Sequence, residues 1–387
     1  MRGKGGRVAH MLYELLFEPL SSAFGALRVF GYITVRTTMA TFTALVIGLL
    51  VGPWLIRRLH EAQIGQYIRE DGPQSHQYKA GTPTMGGLLI GLATIVPTLL
   101  WADLSNVYVG IALVALVGFG AIGFLDDYYK VSKKRSLGLT SWQKLGSQIA
   151  LTVVIGLVLI VLSGRGEYSM ELSLPFAKNF RPDLVIQSLL GSPLTVPFAY
   201  VCFFGWLFFV VAGTANGVNL TDGLDGLAIG LTIICAGALA VLVYVAGHSE
   251  ISAYLDVPTV PLAAELTIFC GSIVGASLAF LWYNSHPAEI FMGDVGSLSL
   301  GGSLATVAVL AKQEVVLLLI GAVFVIETIS VIVQVGSFKL TGKRIFRMSP
   351  IHHHFEQLGW PESKVIARLW IVGLVMALMA LSTLKLR

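Results

Sequence analysis

Apolar runs of about twenty residues recur along almost the whole chain, at 33–56, 84–102, 107–125, 143–163, 194–213, 227–246, 262–283, 298–311, 315–336 and 366–384. Each is long enough to cross about 30 Å of hydrocarbon as a helix. Lipid offers backbone N–H and C=O groups no partner, so only helices and closed barrels can span it. Barrel strands would alternate in segments of about ten residues, and these runs do not alternate. The expectation is an all-α polytopic membrane protein with ten transmembrane helices in one domain, residues 33–387. Composition agrees, because 12% of the residues are charged against about 25% in soluble domains. The 42 glycines are spread through the runs, as close helix packing in lipid favours.

Charge sets the sidedness. With the N-terminus outside, the inner loops 57–82, 126–147, 212–226, 284–297 and 337–368 hold fifteen Lys and Arg. The outer loops hold four, namely Arg165, Lys178, Arg181 and Lys312. The positive-inside rule then places both termini in the periplasm, against the basic ends Arg2, Lys4, Arg7, Arg28, Lys385 and Arg387. Residues 1–32 read as a tail followed by an interfacial helix over 11–30. In the outer loop 164–193, Met170, Leu172, Leu174 and Phe176 alternate with polar residues, which predicts a small β-hairpin. Cys202, Cys235 and Cys270 fall within spans without ligand spacing and read as packing residues.

Polar chemistry concentrates in the inner loops. Asp126 and Asp127 stand at the end of the third span, with Lys130 three to four residues on. An acid near the hydrocarbon costs roughly 2.5–3.5 kcal/mol on insertion scales, so the pair needs a reason to be there. Asn219, Asp222 and Asp225 recur every three residues in a Gly-rich stretch, which predicts one shared side of a helical turn. Asn284 and the run Phe291-Met292-Gly293-Asp294-Val295-Gly296-Ser297 place an acid between glycines at a helix start, suited to a hard cation beside phosphate oxygens. His352, His353 and His354 follow Lys339, Lys343, Arg344 and Arg347. Consecutive histidines cannot share one metal, so hydrogen bonds to phosphate or sugar oxygens suit them better. Lys79, ahead of Thr82-Pro83-Thr84-Met85-Gly86-Gly87, can reach a phosphate.

Each motif also has an ordinary reading alone: an interfacial helix end, an Asn/Asp/Gly turn, a helix cap, or a basic loop near anionic lipid heads. Their placement on one side of the membrane is what favours phosphoryl transfer, which needs acids for a divalent cation and cations for phosphates. No Walker-type loop and no Gly-x-Ser-x-Gly elbow occurs, which argues against an ATP-driven pump and a serine hydrolase.

At these motifs, from about Met11 to Arg387, the chain resembles the polyprenyl-phosphate N-acetylhexosamine-1-phosphate transferase superfamily and, within it, the phospho-N-acetylmuramoyl-pentapeptide transferases. The unbroken His352-His353-His354 favours that branch. The resemblance implies a homodimer in the bacterial inner membrane with its active site facing the cytoplasm. Its reaction would be transfer from UDP-N-acetylmuramoyl-pentapeptide to undecaprenyl phosphate, giving lipid I and UMP in peptidoglycan synthesis, with Mg²⁺ and no nucleic acid. Carried over by residue, Asp294 ligates Mg²⁺, Asp126 and Asp127 act at the reacting phosphates, and Lys79 and Lys130 steady charge. Asn219, Asp222, Asp225, Asn284 and Phe291 then bind the nucleotide side, and the three histidines the phosphate or sugar.

Two other readings compete. A sister transferase would use UDP-N-acetylglucosamine. An ion-coupled transporter would be supported by intramembrane Glu327 and Gln334, but no internal repeat accompanies them.

Overall fold

The computed structural model describes residues 25–62, 81–133, 138–175, 181–184 and 196–385. Its helices are α1 (Ile33–Glu61), α2 (Gly87–Trp101), α3 (Val107–Ser132), α4 (Ser141–Gly164), α5 (Val196–Thr221), α6 (Leu227–Gly247) and α7 (Ser249–Leu255). They continue as α8 (Leu266–Asn284), α9 (Gly293–Leu310), α10 (Glu314–Ile320), α11 (Ala322–Thr341), α12 (Ile351–Gln357) and α13 (Glu362–Ser382). Among the described residues nine helices are long and apolar enough to cross a membrane, and α2 is a shorter apolar tenth. The chain is a polytopic, all-helical membrane protein.

The ten expected runs each find a helix, with instructive shifts. The run 315–336 is not one helix, since the chain breaks at Gly321 between α10 and α11. The helix α5 continues past its apolar run to Thr221, and α9 begins at Gly293 rather than near 298. Both extensions carry polar residues of the inner motifs. Only a 3₁₀ turn, Gly25–Gly31, is described from the expected interfacial helix. In the loop after α4, Leu172 N donates to Pro182 O (2.9 Å) and Leu184 N to Met170 O (3.1 Å). That is an antiparallel bridge, Glu171 to Asp183, and no longer strand forms among the described residues.

Helix α9 is the hub, packed against α2, α3 and α5. Its low apolar content is tolerated because other helices enclose it: Ser297, Ser299, Ser303 and Thr306 are all buried. Small residues set the spacing. A Cβ on Gly301 would meet the backbone of Ala215 in α5, and one on Gly302 the ring of Phe119 in α3. At the opposite end from the site, Arg36 of α1 holds Glu265 with two hydrogen bonds (2.9 and 2.6 Å) and also donates to Trp101 O. Such a bidentate pair fixes α1, α2 and the start of α8 together.

Candidate active site

The C-terminal ends of α3 and α5 converge with the N-terminal ends of α4 and α9. Three glycines permit it: a Cβ on Gly123 would strike the backbone at Asp294, one on Gly87 the backbone at Gly296, and one on Gly293 (φ +70°) the carboxylate of Asp127. The segment before α2 is laced to the start of α9 by Phe291 N to Pro83 O (2.8 Å), Gly86 N to Phe291 O (2.9 Å) and Gly87 N to Met292 O (2.9 Å). Close backbone contact thus places Asp294 beside α3.

Lys130 gathers the acids. Its Nζ lies 2.6 Å from Asp126 Oδ2, 3.2 Å from Asp127 Oδ1 and 3.2 Å from Asp294 Oδ2. Lys144 Nζ donates to the same Asp294 oxygen at 2.6 Å. Asn219 Nδ2 donates to Asp294 Oδ1 and to Ser297 Oγ, both at 2.8 Å. Asp126 and Asp127 are also pinned by backbone: Leu139 N donates to Asp126 (2.8 Å) and Val295 N to Asp127 (3.2 Å). The two adjacent residues thus share Lys130 but take different backbone donors.

Carboxyl groups crowd together here. Asp126, Asp127 and Asp294 offer oxygens lying within 4.8 Å of one another, against two ammonium groups. Asp222 adds a fourth carboxyl, pushed up to about 8 by loss of hydration and then by the charges of Asp294, Asp127 and Asp225. Hard oxygen donors around a point that already holds an ammonium suit a divalent cation of the Mg²⁺ type, which takes one or two carboxylates and leaves positions for phosphates. Asp126 and Asp127 are buried, whereas Lys130 is 30% and Lys144 19% exposed, so the cluster opens on its lysine side.

The other expected residues scatter around this centre. Asp225 does not share a face with Asn219, because α5 ends at Thr221, before it. Its carboxylate instead accepts from Ala288 N (3.1 Å) and faces His286 Nδ1 (3.2 Å), while its N–H donates to Glu362 (2.9 Å). Asn284 spends its amide on Gly226 N and Ile290 O, bracing the same loop. Phe291 is half-buried, held by its backbone. The histidines diverge: His352 is fully buried against Glu327, His353 Nδ1 lies 2.6 Å from Glu356, and His354 Nδ1 accepts from Arg347 N. Lys79 lies outside the described residues.

Lys144 was not singled out by sequence, and Ser297 appeared only as the last residue of the run that begins at Phe291. A signal existed for Lys144, since a cation in the first turn of α4 opposes the helix dipole and needs an acidic partner.

Comparison with known proteins agrees over nearly the whole length. The model of glycosyl transferase family 4 matches residues 109–312, and signature 1 of phospho-N-acetylmuramoyl-pentapeptide-transferase matches residues 79–90. A protein of that name from Koribacter versatilis is 57% identical over 379 residues, covering 97% of this chain and 100% of the relative. Namesakes from Solibacter usitatus and Acidobacterium capsulatum are each 58% identical with the same coverage.

Proposed function

The chain belongs to the phospho-N-acetylmuramoyl-pentapeptide transferase family, and from that premise we propose how its own residues carry out the reaction. The enzyme transfers phospho-N-acetylmuramoyl-pentapeptide from the UDP-linked donor to undecaprenyl phosphate, giving lipid I and UMP. A phosphate oxygen of the lipid attacks the sugar-linked phosphorus, a new P–O bond forms, and the bond to the bridging oxygen breaks as UMP leaves. Two anionic reactants must meet, so charge compensation dominates the barrier.

The observation that carries the assignment is the meeting of three carboxylates and two lysines where four helix ends converge. Asp294, with its neighbours Asp126 and Asp127, holds the divalent cation, which we assign as Mg²⁺. When bound, it screens the two phosphates from each other. Lys130 and Lys144 would then be available to the phosphates, and Lys79 would add a third ammonium. Asp126 and Asp127 orient the lipid phosphate. Proton removal contributes little, because the second pKa of a phosphomonoester is about 6. Asn219 keeps Asp294 aimed, while Asp222, Asp225, Asn284 and Phe291 form the nucleotide side, with the ring of Phe291 available to a base. The histidine helix α12 flanks the sugar-phosphate.

The lipid chain has a matching route. An apolar cavity of about 200 Å³ between α5, α10 and α11 is lined by Trp206, Gly213, Gly217, Phe324, Thr328 and Ile332. Gly217 lines it two residues before Asn219 touches Asp294. The Lys/Arg asymmetry supports an inner-membrane orientation with the site facing the cytoplasm, and the family resemblance supports a homodimer. The test is UMP release by purified protein given undecaprenyl phosphate, either UDP-sugar, and Mg²⁺ or EDTA. Release that needs lipid, the muramoyl donor and metal together is expected; equal release from UDP-N-acetylglucosamine would favour the sister transferase.

A further inference from the structure

Glu327 and Gln334 sit seven residues apart on one face of α11, both buried, in a span where polar groups are costly. Gln334 has an evident use, since its Oε1 accepts from Ile345 N (3.0 Å) and Phe346 N (2.9 Å) and its Nε2 donates to Phe346 O (2.9 Å). It ties down the basic loop that precedes α12. Glu327 is harder to explain. Its carboxylate faces His352, with Oε2 3.1 Å from Nδ1 and 3.4 Å from the backbone N–H, and neither side chain has any exposure.

The pair is incomplete. Glu327 Oε1 and both ring nitrogens of His352 lack an aligned hydrogen-bond partner, although buried polar groups are nearly always satisfied. The far nitrogen is not aimed at apolar core. A Cβ on Gly223 would run into His352 Nε2 and come within 3.3 Å of His353 Nε2, so the ring presses on the glycine next to Asp222. One nitrogen faces a buried carboxylate and the other faces the loop of the active site.

We infer that Glu327 is a positioning residue that acts through His352. Its carboxylate, 3.1 Å from Nδ1, sets the ring's orientation and so holds Nε2 against Gly223 in the loop 219–226. A second group that fixes a functional histidine in this way is a general device, and its loss typically costs about 10–100-fold. The inference rests on the transferase reading of the same site.

The test is a double-mutant cycle on UMP release. Glu327→Leu and Glu327→Gln are each made in the wild-type and His352→Ala backgrounds, with kcat, KM and thermal midpoint measured in detergent. Glu327→Leu should lower kcat about 10–100-fold, and Glu327→Gln, which keeps a carbonyl acceptor, should lose less. Neither should change kcat of the His352→Ala protein by more than about 2-fold, since the shared route is already broken. Equal losses in both backgrounds, or normal kcat in folded Glu327→Leu protein, would overturn the inference. Wild-type turnover in the same assay separates this outcome from failure of the transferase reading.

Discussion

Two buried charge clusters sit at opposite ends of α9, and only one of them looks like a catalyst. At the outer end Lys312 donates to Glu314 (2.9 Å) and to Tyr168 Oη (3.2 Å), with the lysine 3% and the glutamate 1% exposed. One positive charge meets one negative charge, and Glu314 and Tyr168 raise the ammonium's pKa against the opposing pull of burial. At the inner end three carboxylates face two lysines and the lysine side is open. A closed, neutral pair holds structure together. An open cluster of carboxyl groups, unlike the closed pair, is suited to binding a cation.

That contrast can be broken from either end. The largest effect belongs to the inner acids: Asp126→Asn or Asp127→Asn should lower turnover by at least about 10³-fold, or roughly 4 kcal/mol, with the thermal midpoint hardly changed. Next comes Lys312→Met, which leaves Glu314 buried and unpaired. It should cost about 3–5 kcal/mol of stability while turnover per folded molecule stays near normal, and Lys312→Met/Glu314→Gln should recover most of the loss. Lys144→Met should lower turnover about 10–100-fold as a support of Asp294, read from steady-state rates.

The smallest effect is a stability trend with pH. Asp222 is held protonated up to about 8 by burial and neighbouring carboxylates, whereas its unfolded value is about 3.9. Between these values the folded state keeps a proton that the unfolded chain has lost, so stability falls as pH rises through the window. Asp222→Asn should therefore raise the thermal midpoint by more at pH 8 than at pH 5, measured in EDTA. An equal gain at both pH values would show that the folded state does not hold the Asp222 proton as described.

Hydropathy alone located the spans, because the chain cannot leave backbone groups unpaired in lipid. It could not see the break at Gly321, where apolar residues run on without interruption through two helices. Nor could it follow α5 to Thr221, since the extension is built from the polar residues of the site itself. The acids were legible as costly residues at span ends, and Asp126, Asp127, Asn219 and Asp294 do meet. Direction was not legible. Three consecutive histidines point to three partners, and Asp225 turns away from Asn219 because α5 has already ended at Thr221. Lys144 escaped notice because its partner lies 150 residues away.

The central claim is that Asp294 anchors a divalent cation among these acids, and titrating Mg²⁺ into wild-type and Asp294→Asn protein while following UMP release tests it most directly. Wild-type turnover should saturate with Mg²⁺ and vanish in EDTA, and the variant, folded by its thermal midpoint, should show no measurable turnover at concentrations that saturate the wild type. Near-normal rates from the variant at low Mg²⁺ would contradict the account.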